Sequence, residues 1–286
     1  MLLADKWQDY EILECGEGMK KERWGDIILV RPDPQIIWPL KSKDWGEFDA
    51  FYHRSKKGGG NWEYRRKIPQ SWNIQYDSCT FKIRPTDFKH TGLFPEQAVN
   101  WDWCRSKIKL SQGSPKILNL FGYSGLASLH AASCGASVTH VDASKKAINY
   151  AFENRNLSSF QELPIKFITE DAVKFVNREI RRGNKYDGII LDPPKYGRGP
   201  NGEKWDLFND LPLLLKSLPQ ILSNNPIFII LNSYAIRSSH ISLYYGLSEV
   251  MKNYSGNVES GEISIVEDQV NPRQISTAIF ARWEKR

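Results

Sequence analysis

The sequence predicts an α/β protein: a doubly wound, mostly parallel seven-stranded sheet with helices on both faces, preceded by a small β-rich domain. Three observations predict it. From about residue 115, short β-rich runs alternate with amphipathic helical stretches, the pattern of a parallel sheet joined by crossover helices. The last two runs have no helical pattern between them, which makes them a hairpin and places one antiparallel strand in the sheet. The first hundred residues instead carry brief β-like runs broken by Gly, Pro and Asp. The expected boundaries are 1–85 for the β-rich domain and 86–286 for the α/β domain.

In the N-terminal part the β-like runs are EILECGEG, DIILVRPD and IIWPL. The α/β strands are KILNLF (116–121), SVTHVDA (137–143), IKFITED (165–171), YDGIILD (186–192), IFIILNS (227–233), EISIVED (262–268) and STAIFARW (276–283). Helices fit between them over 124–134, 144–156, 171–182, 206–223 and 238–252, starting at capping residues such as Ser144, Asp171 and Asp206. Between the last two strands stand only Gln269 to Ile275, with Pro272.

A chain of 286 residues with this ordinary composition can bury a sizeable core, which excludes a disordered protein. The N-terminal MLLADK lacks the apolar core of a secretory signal, and no apolar run approaches the roughly 20 residues of a membrane span. A cytoplasmic protein without membrane association is expected. Cys15, Cys79, Cys104 and Cys134 form no CxxC pair and the five histidines stand singly, so reduced thiols and no metal are expected. The charge balance, 39 Lys and Arg against 33 Asp and Glu, suits a polyanionic partner without requiring one.

One stretch concentrates that charge. HRSKKGGGNWEYRRK (53–67) sets Arg54, Lys56, Lys57, Arg65, Arg66 and Lys67 around three glycines, a Trp and a Tyr. It reads equally as a solvated mobile loop or as a nucleic-acid arm, in which aromatics stack on bases and cations follow phosphates.

In an open parallel sheet a ligand belongs at the carboxyl ends of the strands, where the strand order reverses. The first strand ends in Asn119-Leu120-Phe121-Gly122-Tyr123-Ser124-Gly125, whose glycines allow a sharp turn and close approach of backbone to ligand. This is not G-x-G-x-x-G, so the pyrophosphate fingerprint is incomplete. The second strand ends at Asp142-Ala143, about twenty residues after the glycine turn, where a carboxylate accepts from ribose hydroxyls. The third ends at Asp171-Ala172, where Asp171 either accepts from an adenine amino group or caps the next helix. The fourth delivers Asp192-Pro193-Pro194-Lys195-Tyr196.

With these residues in this order, the chain from about 90 to 286 resembles the class I S-adenosylmethionine-dependent methyltransferases, whose Rossmann-like sheet also ends in an antiparallel strand. Within that class it is most similar to the bacterial 23S ribosomal RNA large-subunit methyltransferases with an Asp-Pro-Pro-Lys-aromatic motif. Thr91-Gly92-Leu93-Phe94-Pro95-Glu96-Gln97 looks like that group's segment over the methionine end of the cofactor. The resemblance implies S-adenosylmethionine as cofactor and S-adenosylhomocysteine as product. It places Asn119, Phe121 to Gly125, Asp142 with Ala143, Asp171 with Ala172, and Asp192 around the cofactor, with Phe94 and Gln97 covering it. It also implies RNA methylation, with ribosomal RNA as partner.

Carbon-5 methylation of a pyrimidine needs a cysteine thiolate that adds to the ring. The place after the fifth strand where it would stand reads Leu231-Asn232-Ser233-Tyr234, and none of the four cysteines lies there. Methylation of a base nitrogen needs chiefly in-line geometry in a dry site. The Asp192 carboxylate and the carbonyls around Pro193 and Pro194 suit an amino group, Tyr196 could stack on the base, and Lys195 and Arg198 could meet phosphate. Gly197 to Trp205 read as a flexible rim or a plain surface loop. Transfer to a protein side-chain amide or a small molecule remains the alternative within enzymes. A non-catalytic RNA-binding protein is the alternative outside them, and the carboxylates at 142, 171 and 192 argue against it.

Overall fold

The structure, a computed structural model, describes residues 1–55, 59–87, 89–234, 236–267 and 273–286. Lys56 and Lys57 of the basic stretch, and Pro272 with the turn of the final hairpin, lie outside the described residues. The chain forms two compact units. One comprises Leu3–Ala98 and Ser264–Ser276, the other Met1–Leu2, Val99–Ile263 and Thr277–Arg286. The boundary expected at 85/86 therefore falls inside the first of these.

The N-terminal strands are β1 (Leu2–Leu3), β2 (Tyr10–Gly16), β3 (Met19–Trp24), β4 (Ile27–Pro32), β5 (Ala50–Arg54), β6 (Gly60–Tyr64), β7 (Trp72–Tyr76) and β8 (Cys79–Ile83). Strands β2 to β6 pair in chain order, antiparallel except for the parallel pair β4 and β5, while β7 and β8 form a separate hairpin. IIWPL is not a strand. Pro39 has no N–H to give a ladder, and the carbonyls of Ile36 and Trp38 accept instead from Gly18 and Glu17 in the β2–β3 turn.

The basic stretch is not a free arm along its whole length. Its flanks are the paired strands β5 and β6, with Arg54 opposite Gly60. Arg66 forms an ion pair with the buried Asp49, and the Arg65 guanidinium lies 3.7 Å from the Phe48 ring centroid.

Under this sheet sits a buried charge cluster. Glu22 is fully buried and accepts from Arg31 through two bonds of 2.5 and 2.8 Å and from the Tyr10 hydroxyl at 2.8 Å. Lys20 Nζ stands 3.4 Å away. Burial opposes ionisation of Glu22, yet Arg31, Lys20 and the Tyr10 hydroxyl hold its carboxyl at about 2.

The second unit begins with α1 (Ala98–Leu110), which the sequence does not predict because its Trp, Asn and Asp residues blur the helical period. Then follow β9 (Lys116–Leu120), α2 (Leu126–Ala132), β10 (Ser137–Asp142), α3 (Lys145–Leu157), β11 (Ile165–Thr169), α4 (Ala172–Arg182) and β12 (Gly188–Leu191). A small hairpin, β13 (Tyr196–Arg198) and β14 (Lys204–Asp206), leads to α5 (Leu207–Ser217). After these come β15 (Phe228–Ser233), α6 (His240–Met251), β16 (Gly256–Glu267) and β17 (Arg273–Lys285); Ser264–Glu267 of β16 and Arg273–Ser276 of β17 belong to the first unit. Helix α5 is shorter than expected because Pro219 cannot continue it, and Leu218–Ile221 form a single 3-10 turn.

The strand order is β11-β10-β9-β12-β15-β17-β16. The pairs from β11 to β15 are parallel and β17 runs antiparallel to β15, so the expected doubly wound sheet with its reversed last strand is present. Period-two alternation divides the strand side chains between two cores. Leu118, Ile189, Leu191 and Ile229 pack with Phe175, Leu211, Leu214 and Leu247 on one face. Ile117, Val138, Ile190 and Ile230 pack with Ile108, Ala131 and Cys104 on the other. From β9 the chain steps outward to β10 and β11, then returns past β9 to β12 on its other side, so the strand order reverses at the carboxyl ends of β9 and β12. Among the described residues no helix is long and apolar enough to cross a membrane.

Candidate active site

At the end of β9 the backbone turns through three left-handed residues, Phe121 (φ 58°), Tyr123 (φ 48°) and Gly125 (φ 87°). Positive φ at two aromatic residues costs free energy, so the surroundings must enforce it. They do so through the next strand. Gly122 N–H donates to the Val141 carbonyl at 3.0 Å, and Tyr123 N–H donates to Asp142 Oδ2 at 2.9 Å. The other Asp142 oxygen accepts from Ser144 N–H at 2.8 Å. A Cβ at Gly122 would lie 2.3 Å from the His140 ring, so only glycine fits.

His140 belongs to a buried chain beneath the turn, in which Asn119 donates to Ser128 at 2.9 Å and Ser128 meets His140 Nδ1 at 3.0 Å. Burial pushes the His140 pKa down to about 3, which keeps the ring neutral. Asn154 donates to the Ser124 carbonyl at 2.9 Å and fixes the far side of the loop.

Asp142 thus joins two loops while keeping lone pairs on both oxygens, since a carboxylate offers about four acceptor sites. Burial pushes its pKa up, and the two backbone N–H groups draw it back. No Lys or Arg occurs between 119 and 144. An acceptor-only carboxylate beside a cation-free turn fits the diol of a nucleoside that carries no phosphate.

Asp171 stands at the end of β11, is buried, and accepts from Lys174 N–H at 3.0 Å through Oδ1. The capping alternative is therefore realised, with one oxygen. The β11 end is tied to the end of β10 by Glu170 N–H, which donates to the Asp142 carbonyl at 3.0 Å. Ala172 is buried as the first residue of α4, and Ala143 is half-buried beside Asp142.

Asp192 follows β12 directly and is half-buried. Burial pushes its pKa above the usual carboxylate value, and the Asn232 amide, donating to Oδ1 at 2.7 Å, works in the opposite direction. Pro193 is buried and Pro194 exposed. The Pro194 carbonyl accepts from Trp205 Nε1 at 2.7 Å, and the Lys195 carbonyl accepts from Leu207 N–H at 3.0 Å. The Trp205 ring centroid also lies 4.7 Å from that of Phe121. One tryptophan therefore links the glycine turn to the Asp-Pro-Pro turn. Tyr196 is 64% exposed, with Lys195 Nζ 5.2 Å from its ring centroid, and Arg198 is exposed.

The expectation of a flexible rim over 197–205 is corrected. Gly197 pairs with Trp205 and Arg198 with Lys204 in the β13–β14 hairpin. Trp205 is buried in the core, and Glu203 forms an ion pair with Lys174 of α4 that holds its carboxyl at about 2. The glycines serve a tight turn rather than a loose loop.

Phe94 and Gln97 belong to the other unit. Phe94 is half-buried with its ring 5.4 Å from His90, and Gln97 is buried in the 3-10 turn Pro95–Gln97. Within the second unit, Cys104 and Cys134 pack with Ile117, Val138 and Phe228 near the amino ends of the strands, opposite the end that carries Asp192.

Sequence reasoning passes over two residues of this site. Trp205 carries no motif, and its role depends on a contact with Pro194 that only the hairpin creates. Asn232 had a readable signal, because a polar residue closing the apolar run Phe228 to Leu231 repeats the pattern that marks Asp192.

The family model of S-adenosylmethionine-dependent methyltransferases matches residues 42–250. The chain belongs to this family. A crystal structure of the S-adenosylmethionine-dependent methyltransferase from Agrobacterium tumefaciens is 42% identical, superposes with a TM-score of 0.96, and is matched over 100% of this chain and 93% of that one. The ribosomal RNA large subunit methyltransferase K/L of Shewanella frigidimarina is 29% identical over 80% of this chain and 32% of its own length. The protein of the same name from Pseudoalteromonas atlantica is 31% identical over 72% of this chain and 28% of its own. The chain thus spans about a third of the length of the curated relatives it matches. The family is defined by dependence on S-adenosylmethionine, and the sheet of this chain is the Rossmann-like methyltransferase sheet.

Proposed function

We propose that this methyltransferase transfers the methyl group to a base nitrogen of structured RNA, with ribosomal RNA as the substrate and the cytoplasm as the site of action. The observation that carries the reading is the Asp192 carboxylate at the switch point, half-buried, held by Asn232 and followed by the exposed Tyr196. The name of the Shewanella relative supports RNA as acceptor.

Bound S-adenosylmethionine supplies an activated methyl group. Asn119 and Phe121 to Gly125 would line its site, Asp142 with Ala143 would hold the ribose, and Asp171 with Ala172 would receive the adenine. The Asp192 carboxylate and the Pro193 carbonyl accept from the acceptor amino group and aim its lone pair at the methyl carbon. The nitrogen–carbon bond forms as the carbon–sulfur bond breaks. The methylated nitrogen, now cationic, passes a proton to the Asp192 carboxylate, which releases it to water. Tyr196 stacks on the base, which is worth about 1–3 kcal/mol in comparable sites. Lys195, Arg198, Arg54 and Lys67, with Lys56 and Lys57, meet phosphates.

Two outcomes are expected. Asp142→Ala removes the ribose acceptor and leaves the Tyr123 and Ser144 N–H groups without their partner. It weakens S-adenosylhomocysteine binding, measured by calorimetry, by about 10²-fold, the equivalent of two charge-assisted hydrogen bonds; unchanged affinity removes Asp142 from the cofactor site. Replacing Arg54, Lys56, Lys57 and Lys67 with Gln lowers the slope of log affinity for RNA against log salt. Arg65 and Arg66 contribute less to that slope, because Phe48 and Asp49 already engage them.

The reading is tested by labelled-methyl transfer to total RNA and total protein from cells lacking the enzyme. Label in RNA is expected, and label in protein alone refutes it.

A further inference from the structure

Asn232 is the first polar residue of β15, directly after the apolar run Phe228 to Leu231, and is only 2% exposed. Burying a primary amide costs free energy unless its donors and acceptor are met. A hydrophobic residue would satisfy this strand position as Leu231 does one residue earlier. The amide therefore needs a reason to be there, and the only hydrogen bond its side chain makes among the described residues is the 2.7 Å donation to Asp192 Oδ1. An ionised carboxylate accepts and cannot donate, so the atom facing Asp192 is the amide nitrogen. The amide oxygen, also buried, has no partner among the described residues, and neither does the neighbouring buried Ser233 hydroxyl.

The pairing follows from sheet topology. Strands β12 and β15 are parallel neighbours with Leu191 opposite Leu231, so the next residues on each, Asp192 and Asn232, stand side by side at the carboxyl edge. This register places a fixed donor beside the carboxylate of a turn whose following carbonyls are already held by Trp205 and Leu207.

We propose that Asn232 is a positioning residue: by holding Oδ1 of Asp192 it leaves Oδ2 as the acceptor presented to the substrate amino group and fixes the carboxylate plane. The assignment rests on the proposed transfer to nitrogen at Asp192. It divides the labour of the two oxygens, one bound to the fold and one to the substrate. The same bond favours the ionised form, which is the accepting form, against the burial that disfavours it.

The test compares wild type with Asn232→Ala and Asn232→Ser in single-turnover methyl transfer to ribosomal RNA from cells lacking the enzyme, across pH, with S-adenosylhomocysteine affinity measured alongside. Loss of a positioning contact of this kind costs about 10–100-fold. Asn232→Ala should lose that much at neutral pH, recover part of it at higher pH because the acid limb moves upward, and bind S-adenosylhomocysteine as wild type does. Asn232→Ser, which restores a small donor, should regain rate and return the acid limb toward its wild-type position. A wild-type pH profile in both variants, or a loss of equal size at every pH that Ser does not rescue, overturns the proposal. Wild-type enzyme that places no methyl on a base nitrogen overturns the proposed function instead, which keeps the two failures distinct.

Discussion

Replacing Asp192 with Ala is expected to lower the single-turnover rate of methyl transfer by about 10³-fold, the size of effect that follows removal of one preorganised polar group at a reacting centre. S-adenosylhomocysteine affinity should fall far less than the rate, because the carboxylates at 142 and 171 and the glycine turn stay in place without Asp192. The pH profile carries a second signature. Burial raises the Asp192 pKa above the ordinary carboxylate range, with Asn232 opposing the rise. The working form is the ionised one, so the rate should fall as pH drops through that raised value and recover above it. Asp192→Asn keeps an acceptor oxygen but cannot titrate, so its lower rate should be flat through the same range. A persisting acid limb in Asp192→Asn would assign the titration to another group.

The other large effect lies in the N-terminal unit. Glu22→Ala should cost about 3–5 kcal/mol of unfolding free energy, the range seen when one partner of a buried ion pair is removed. Arg31, itself buried, would lose both of its hydrogen bonds to Glu22, and Tyr10 would lose the acceptor of its hydroxyl. The pH dependence has a definite sign. A carboxyl held at about 2 in the folded protein, below its unfolded value, stabilises the fold above the unfolded value and loses that contribution as pH falls toward 2. Chemical denaturation of wild type and Glu22→Ala at pH 7 and pH 3 should show a smaller difference at the lower pH. Equal differences at both would locate the acid sensitivity elsewhere, for example at Glu267, which Arg273 holds at about 2 against burial.

The α/β half was legible because its physics is local. Apolar runs of β-branched residues, capping Ser144, Asp171 and Asp206, and the missing helix before β17 each constrain the sheet on their own, and all three caps accept the expected backbone N–H groups. The carboxylates were legible for the same reason: polar residues ending apolar strands mark the carboxyl edge. Long-range pairings were less visible. The β13–β14 hairpin depends on Trp205 finding the Pro194 carbonyl, and glycines at 197, 199 and 202 look the same in a tight turn as in a loose loop. IIWPL has the composition of a strand, yet Pro39 and the Gly18 turn assign its carbonyls to other donors. The basic stretch shows the limit of reading charge alone, since Asp49 and Phe48, which engage Arg66 and Arg65, precede it in sequence and meet it only in the fold.

On the proposed function, a turn built on Asp192, Pro193 and Pro194, without a cysteine at the end of β15, methylates nitrogen rather than carbon. The most direct measurement is nucleoside mass spectrometry on ribosomal RNA methylated in vitro by the purified protein with labelled S-adenosylmethionine. Transfer to nitrogen predicts label on a base nitrogen, in one nucleoside, and its loss in Asp192→Ala. Label on carbon 5 of a pyrimidine would contradict it.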